Sequence, residues 1–196
     1  MQETAEYSKL SDEELIYRFQ RDDYQAFNEI VNRYKNKLVN FIFRYTGNRD
    51  DAEDYAQDTF LKLYKSKHLY REIAKFSTWF YTIALNTVKT NIKKKSKYSS
   101  ISISDFDPEN DKDYDLKSDD SGPEEIVNSN LEIELIQNAI NSLDDAFREI
   151  IVLRDIEDLE YDEIAKITGL PLGTVKSRIN RGREKLKNIL SNKIKI

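Results

Sequence analysis

The stretch that decides the fold is GLPLGTVKSRINRGREKL, residues 169–186. It begins with a Gly-x-Pro turn, and the short segment YDEIAKIT, residues 161–168, precedes it and predicts a first helix that carries Ile164 and Ala165. Gly169 supplies the positive φ that a tight turn between helices needs, and the small Ala165 lets two helices approach closely. The pattern therefore predicts a helix-turn-helix.

The second helix of this motif has two distinct sides. At about 100° per residue, Val175, Ile179, Gly182, Leu186 and Leu190 share one narrow stripe that should pack inward. The other side and its flanks carry residue types that suit phosphates and base edges in a major groove. We therefore predict a DNA-binding surface formed by Gly173, Thr174, Lys176, Ser177, Arg178, Asn180 and Arg181.

Positive charge is concentrated at this end of the chain. Residues 164–196 contain nine Lys or Arg and one acid, Glu184, although the 196-residue chain has a formal net charge of -5. Such asymmetry is typical of a local nucleic-acid footprint. The alternative is a solvated amphipathic helix, and the turn signature favours DNA binding over it.

Composition limits the possible classes of protein. With only 5 Gly and 3 Pro, an all-β fold is disfavoured, and without cysteine no disulfide or thiolate chemistry is possible. No apolar run is long enough to cross a bilayer, and the N-terminal residues lack the features of a signal peptide. We expect a soluble, cytoplasmic protein that works in a reducing compartment.

The predicted fold class is all-α, with two small helical domains joined by a flexible acidic linker. Ser11 and Glu14 fit a capping box that opens the first long helical stretch. Helical periodicity is lost near residue 98 and resumes near residue 124, and ten acids oppose two lysines between Asp105 and Glu125. We predict an N-terminal domain at 1–97, the linker at 98–123, and a C-terminal domain at 124–196.

The segment DDAEDYAQDTF, residues 50–60, predicts a helix with one acidic, exposed face. Asp51, Asp54, Gln57 and Asp58 lie on this face, and small or apolar residues opposite it can pack. A solvated face is one alternative. A magnesium-dependent nuclease using Asp51, Asp54 and Asp58 is another, but no histidine, nucleophile or Gly-rich phosphate loop lies near them. We therefore predict no metal and no cofactor.

The segment FSTWFYTIALNTVKTNIKKK, residues 76–95, predicts a helix that combines aromatic rings with lysines. This combination suits single-stranded DNA, because bases stack on rings while ammonium groups follow phosphates. The alternative is that the aromatic residues are core, which is the preferred interpretation for Phe80 and stays open for Phe76 and Trp79. The candidate contacts are Phe76, Trp79, Thr82, Asn86, Lys89 and Lys93, with Leu85 on the same side.

Three segments of the chain resemble an extracytoplasmic-function sigma factor of bacterial RNA polymerase. They are YDEIAKITGLPLGTVKSRINRGREKL, DAEDYAQDTFLKLY and FSTWFYTIALNTVKTNIKK. The resemblance runs from about Asp12 to Leu190. It implies a non-enzymatic subunit that binds core RNA polymerase and directs initiation at promoters with −10 and −35 elements. Docking onto the clamp coiled coil of the largest subunit would use Asp54, Gln57, Asp58 and Phe60.

The resemblance also implies roles for the other segments. The helix at 76–95 and the loop before it, HLYREIAKF at 68–76, would melt the downstream element and hold a flipped base. The helix-turn-helix would read the upstream element, and the linker would thread through the polymerase cleft. An anti-sigma factor is implied as a further partner.

At two places the sequence departs from the family pattern, which limits how far the roles of family residues can be assigned to this chain. Thr90 and Lys93 stand where the family often has an acid and an arginine, so promoter preference cannot be taken from relatives. Gly182 stands where alanine is usual. A stand-alone helix-turn-helix regulator is the remaining alternative, although it would need neither the acidic docking helix nor the single-strand-binding helix.

Overall fold

The structure is a computed structural model that describes residues 4–101 and 133–194. These residues form helices and turns with no strand, which confirms the all-α prediction. In chain order the elements are α1 (Thr4–Tyr7), α2 (Asp12–Gln20), α3 (Tyr24–Thr46), α4 (Arg49–Ser66), a 3-10 turn (Lys67–Leu69), α5 (Phe76–Ile101), α6 (described over 133–141), α7 (Asp145–Ile151), a π-helical segment (Val152–Ile156), α8 (Tyr161–Thr168) and α9 (Leu172–Ile194).

The N-terminal domain packs α2, α4 and α5 around the long helix α3. Ser11 and Glu14 form the predicted capping box at the start of α2, and Gly47 ends α3 with a φ of 71°. The core is aromatic: the rings of Tyr34, Phe76 and Phe80 lie within 5.7 Å of one another. This core fixes the orientation of α4 and α5, which carry the candidate binding residues.

The C-terminal domain consists of α6 to α9 and contains the predicted helix-turn-helix. Glu160 and Glu163 form a capping box at the start of α8, and Gly169 ends α8 in the left-handed region with a φ of 70°. A Cβ added at Gly169 would meet no atom within 4 Å, so the backbone conformation, and not lack of space, favours glycine here. Val175 and Ile179 are fully buried and attach α9 to the domain.

The two domains contact each other. Helix α5 lies against α8, and α3 lies against the π-helical segment, so buried residues of both domains form one apolar cluster. Helix α5 continues to Ile101, which places residues 98–101 of the predicted linker in a helix. The rest of the predicted linker, and the start of the predicted C-terminal domain, lie outside the described residues. Over the described ranges, no helix is long and apolar enough to span a membrane.

Candidate nucleic-acid and polymerase interfaces

The recognition face of α9 is set by how closely its opposite side approaches α7. A Cβ added at Gly182 would lie 2.8 Å from Cγ1 of Ile151 and 3.7 Å from Cβ of Phe147. Alanine would therefore clash unless Ile151 moved. Glycine at this position accounts for the closeness of the two helices, which together with Val175 and Ile179 turns the polar side of α9 outward.

The predicted upstream contacts lie together on this outward side. Lys176, Ser177, Asn180 and Arg181 are exposed, as is Gly173 at the helix start, and Thr174 and Arg178 are half-buried at the flanks. None of the described residues forms an ion pair with Lys176, Arg178 or Arg181. A surface of unpaired cations and short polar side chains at a helix N-terminal half suits the phosphates and base edges of duplex DNA.

The basic residues farther along α9 have a different environment. The guanidinium of Arg183 pairs with the carboxylate of Asp155 in the π-helical segment. The Lys185 ammonium lies 2.6 Å from Asp144 Oδ2, and this contact lowers the pKa of the Asp144 carboxyl. Both cations hold α9 on its own domain, so the DNA-facing charge is smaller than the sequence count suggests.

The acidic face of α4 is exposed as predicted. Asp54, Gln57 and Asp58 are exposed, whereas Ala52, Tyr55, Ala56, Thr59 and Leu63 on the other side are buried. Phe60 differs from its three predicted partners. It is half-buried, with its ring 5.5 Å from that of Phe80, so it orients α4 against the core as well as bordering the exposed face.

Two residues of α5 that are not among the predicted contacts adjoin this acidic face. Asn91 Nδ2 donates to Asp58 Oδ2 at 2.9 Å, and Lys95 Nζ lies 2.7 Å from Asp51 Oδ2. A shallow cavity of about 440 Å³ lies between them and is lined by Asp54, Tyr55, Gln57, Asp58, Asn91 and Lys95. Because these contacts join residues 33 and 44 positions apart, helical periodicity alone could not reveal them.

No metal site is formed by these carboxylates. Among the residues that the structure describes, no group of three His, Cys, Asp or Glu could hold a metal ion. Asp51 and Asp58 instead contact a lysine and an asparagine, which are the contacts of an ordinary polar surface. The geometry of the described part of the chain therefore lends no support to the nuclease alternative.

The aromatic residues of α5 divide between core and surface. Phe76 is fully buried and stacks against Phe80, which favours the alternative in which it belongs to the core and not to a base-stacking surface. Trp79 is half-buried, with its ring 5.4 Å from that of Tyr70. Of the two rings that the sequence left open, only Trp79 retains an accessible edge.

The polar candidates on α5 also differ from one another. Asn86 and Lys93 are exposed and Thr82 is half-buried. Lys89 Nζ lies 2.8 Å from Glu149 Oε2 of the C-terminal domain. Leu85, which periodicity placed on the DNA side, is buried, and this prediction was wrong because the other domain packs along that part of α5.

The loop before α5 is anchored at its base and exposed at its tip. Gln20 Nε2 donates to the carbonyl oxygens of Lys67 and Tyr70, at 2.8 and 3.2 Å. By contrast, Leu69 and Ile73 are 71% and 86% exposed. Two large apolar side chains held in solvent on a fixed loop are a surface that a base or an apolar partner group could cover.

Comparison with known families agrees with the two-domain architecture. Residues 30–98 match the family Sigma-70 region 2, and residues 133–186 match the family Sigma-70, region 4. The first match contains α4 and most of α5, and the second contains the helix-turn-helix. Each candidate interface thus falls within a matched region.

Curated relatives and solved structures resemble the whole chain. The ECF RNA polymerase sigma-E factor of Haemophilus influenzae is 36% identical over 184 residues, which cover 92% of this chain and 95% of the relative. CnrH, solved in complex with the cytosolic domain of CnrY, has a TM-score of 0.69 at 22% identity and covers 92% of this chain and 97% of its own. RpoE of Bartonella quintana, solved with the anti-sigma factor NepR, has a TM-score of 0.69 at 24% identity and covers 84% and 96%.

The chain therefore belongs to the ECF family of RNA polymerase sigma factors. As a sigma factor it binds core RNA polymerase and directs promoter-specific initiation, and it is not an enzyme. The alternative of a stand-alone helix-turn-helix regulator is excluded, because the similarity includes the region 2 domain as well as the helix-turn-helix.

Proposed function

We propose that three separate surfaces of this chain carry the three binding functions of a sigma factor. The exposed face of α9 reads the upstream element, the acidic face of α4 docks on the clamp coiled coil of the largest polymerase subunit, and α5 with its preceding loop holds the opened downstream strand. The observation that carries this division is the unpaired basic face at Lys176 and Arg181, set apart from the exposed acids Asp54 and Asp58.

Docking through α4 has a physical basis in charge and exposure. Asp54 and Asp58 project from one side of a helix whose other side is buried, so they can meet basic groups without disturbing the core. Charged pairs of this kind steer association and set the register more than they add affinity. The hydrogen bond from Asn91 Nδ2 to Asp58 Oδ2 orients this carboxylate on the exposed face.

Single-strand binding by α5 rests on Trp79, Thr82, Asn86, Lys89 and Lys93, and Phe76 supports them from the core. The exposed apolar side chains of Leu69 and Ile73 lie on the loop expected to surround a flipped base.

The test is run-off transcription with purified core polymerase, combined with separate binding measurements. Asp58→Lys should impair binding to core and leave binding to upstream-element duplex DNA unchanged. Lys176→Glu should do the opposite. Glu134→Lys and Lys35→Glu are matched controls, because both positions are exposed and lie outside the proposed surfaces. Equal loss of both activities in either variant would indicate unfolding and would remove the proposed roles.

We also propose that this chain acts in the cytoplasm and is regulated by an anti-sigma factor. The first follows from the location of its polymerase partner, and the second from the family, since the Bartonella quintana protein of similar fold was solved with such a factor. Purification of the full chain from cells in which it is inactive should recover a bound regulator, and recovery of the chain alone would count against the second proposal.

A further inference from the structure

The contact between the two domains includes a row of carboxylates from the C-terminal domain. Glu149 Oε2 lies 2.8 Å from Lys89 Nζ, and Glu163 Oε1 lies 3.1 Å from Lys75 Nζ. Between them, the Tyr81 hydroxyl donates a hydrogen bond to Glu157. We call Glu149, Glu157 and Glu163 the carboxylate row. Its partners are Tyr81 and Lys89 of α5 and Lys75, the residue just before α5.

The carboxylate row is partly buried in this contact. The side chains of Glu149 and Glu163 are only 10% and 14% exposed. Burial raises the pKa of Glu157 despite the hydrogen bond from Tyr81. Burial also opposes ionisation of Glu163, but the Glu160 backbone N–H and the Lys75 ammonium outweigh it and lower its pKa. Carboxylates are shielded from water in this way only where specific partners compensate for lost hydration.

A second cluster attaches the C-terminal domain to the end of α3. Arg148 Nη1 donates to the carbonyl oxygen of Tyr45 at 3.4 Å, and Gln137 Nε2 donates to that of Arg44 at 3.3 Å. These carbonyl groups belong to the last turn of a helix and have no partner within it. Gly47 has a positive φ, and a Cβ there would meet the side-chain amide of Asn141, so this amide lies close against the end of α3.

The carboxylate row covers part of the side of α5 that single-stranded DNA would use. At about 100° per residue, Thr78, Tyr81, Leu85 and Lys89 form one stripe, and Thr82 borders it. Asn86 and Lys93 lie next to the same stripe and stay exposed. Lys89 is at once a candidate phosphate contact and the partner of Glu149. Glu149 thus already pairs with a cation that a backbone phosphate would otherwise contact.

We propose that the C-terminal domain acts as an internal competitor for the downstream promoter strand. In the free protein the carboxylate row holds α5, and the opened strand and the C-terminal domain bind it in mutually exclusive ways. This inference rests on the proposed single-strand-binding role of α5. The recognition face of α9 is exposed in the same arrangement, so binding of upstream duplex DNA needs no opening.

The test uses the full chain with Glu149→Gln and Glu163→Gln combined. Glutamine removes the charge at both positions, and it can still close the capping box that Glu163 forms with Glu160. The matched control combines Glu134→Gln and Glu184→Gln, which removes two charges from exposed positions of the same domain. Helicity measured by circular dichroism verifies that each variant is folded.

Two readings are taken on each protein. The first is energy transfer between dyes on Lys35→Cys and Lys187→Cys, which are unique labelling positions because the chain has no cysteine. The second is the dissociation constant for a fluorescein-labelled single-stranded DNA of about 20 nucleotides, long enough for a single-strand site. Because apparent affinity scales with the fraction of open molecules, we expect lower transfer efficiency and about three- to tenfold tighter binding in the Gln variant only.

Other outcomes overturn the inference. Unchanged transfer efficiency would show that the carboxylate row does not hold the domains together. Lower efficiency without tighter binding would show that the domains separate but do not compete with DNA. Adding Lys93→Ala to each protein separates failure of the competition from failure of the proposed single-strand-binding role. If Lys93→Ala weakens DNA binding, α5 keeps its proposed role. If it has no effect, both that role and the competition are removed.

Discussion

Gly182 shows how one missing methyl group determines the position of the recognition helix. Its closest non-local atom, Cγ1 of Ile151, would lie 2.8 Å from an added Cβ. Gly182→Ala gains up to about 1 kcal/mol of helix propensity but overpacks the contact, which typically costs about 1–3 kcal/mol. We expect net destabilisation of about 1 kcal/mol in urea unfolding of the full chain.

Two companion variants test this explanation. Gly173→Ala on the same helix meets no atom within 4 Å and should not destabilise the protein. In an Ile151→Ala background, Gly182→Ala should become neutral or stabilising because the clashing side chain is gone. A loss that persists in that background would mean that Gly182 is needed for a reason other than contact with Ile151.

Glu157 should make stability depend on pH. Its carboxyl is half-buried, accepts a hydrogen bond from Tyr81 of α5 and faces Lys37 of α3, and partial loss of hydration raises its pKa. Because the folded pKa exceeds the unfolded one, the native state binds the proton more readily, and this group destabilises the fold as pH rises through the folded pKa.

Glu157→Gln should therefore increase the free energy of unfolding at neutral pH. The gain should shrink as pH falls through the folded pKa of Glu157 and disappear below its unfolded pKa, where the carboxyl is neutral in both the native and the unfolded state. Urea titrations of both proteins from about pH 4 to 8 would measure this difference. A pH-independent gain would assign the effect to packing instead of to charge.

Helix α9 is expected to bind DNA with its N-terminal half and its own domain with its C-terminal half. Lys176 and Arg181 have no ion-pair partner among the described residues, whereas Arg183 pairs with Asp155. Since each phosphate contact contributes about 0.9 to the slope of log affinity against log salt, replacing Lys176 and Arg181 with Ala should reduce that slope by about 2.

Arg183→Ala is the matched comparison on the same helix. It should leave the salt slope for upstream duplex DNA unchanged and reduce stability by no more than about 1 kcal/mol, because the pair with Asp155 is partly exposed. Fluorescence anisotropy over a salt series would separate the two cases. An equal reduction in slope would place Arg183 on the DNA surface.

The contacts between the domains should make the free chain unfold as one unit. Buried residues of both domains form a single apolar cluster, and the carboxylate row and the end of α3 add specific polar contacts across it. Glu149→Lys places two cations together at Lys89 and should divide one calorimetric transition into two. Adding Lys89→Glu should restore a single transition, since the pair is re-formed in reverse. Two transitions in the wild-type chain would contradict this expectation.

Much of the local structure could be predicted from the sequence. The capping box at Ser11, the turn at Gly169 and the inward stripe at Val175 and Ile179 depend on residues close together in the chain, so their patterns are visible in it. The exposed faces of α4 and α9 follow from the same periodicity. The ECF sigma resemblance was confirmed by relatives that match almost the whole chain.

Other features depend on residues that are far apart in the chain. Helical periodicity placed Leu85 and Lys89 on an open face because it describes a helix without its neighbours, and the packing of α8 and α7 against α5 changes their environment. The division of the α9 cations between DNA and protein depends likewise on where Asp144 and Asp155 lie. Local periodicity and capping specify which helices form and which sides are apolar, whereas pairing between charges of distant segments is set by how the helices pack.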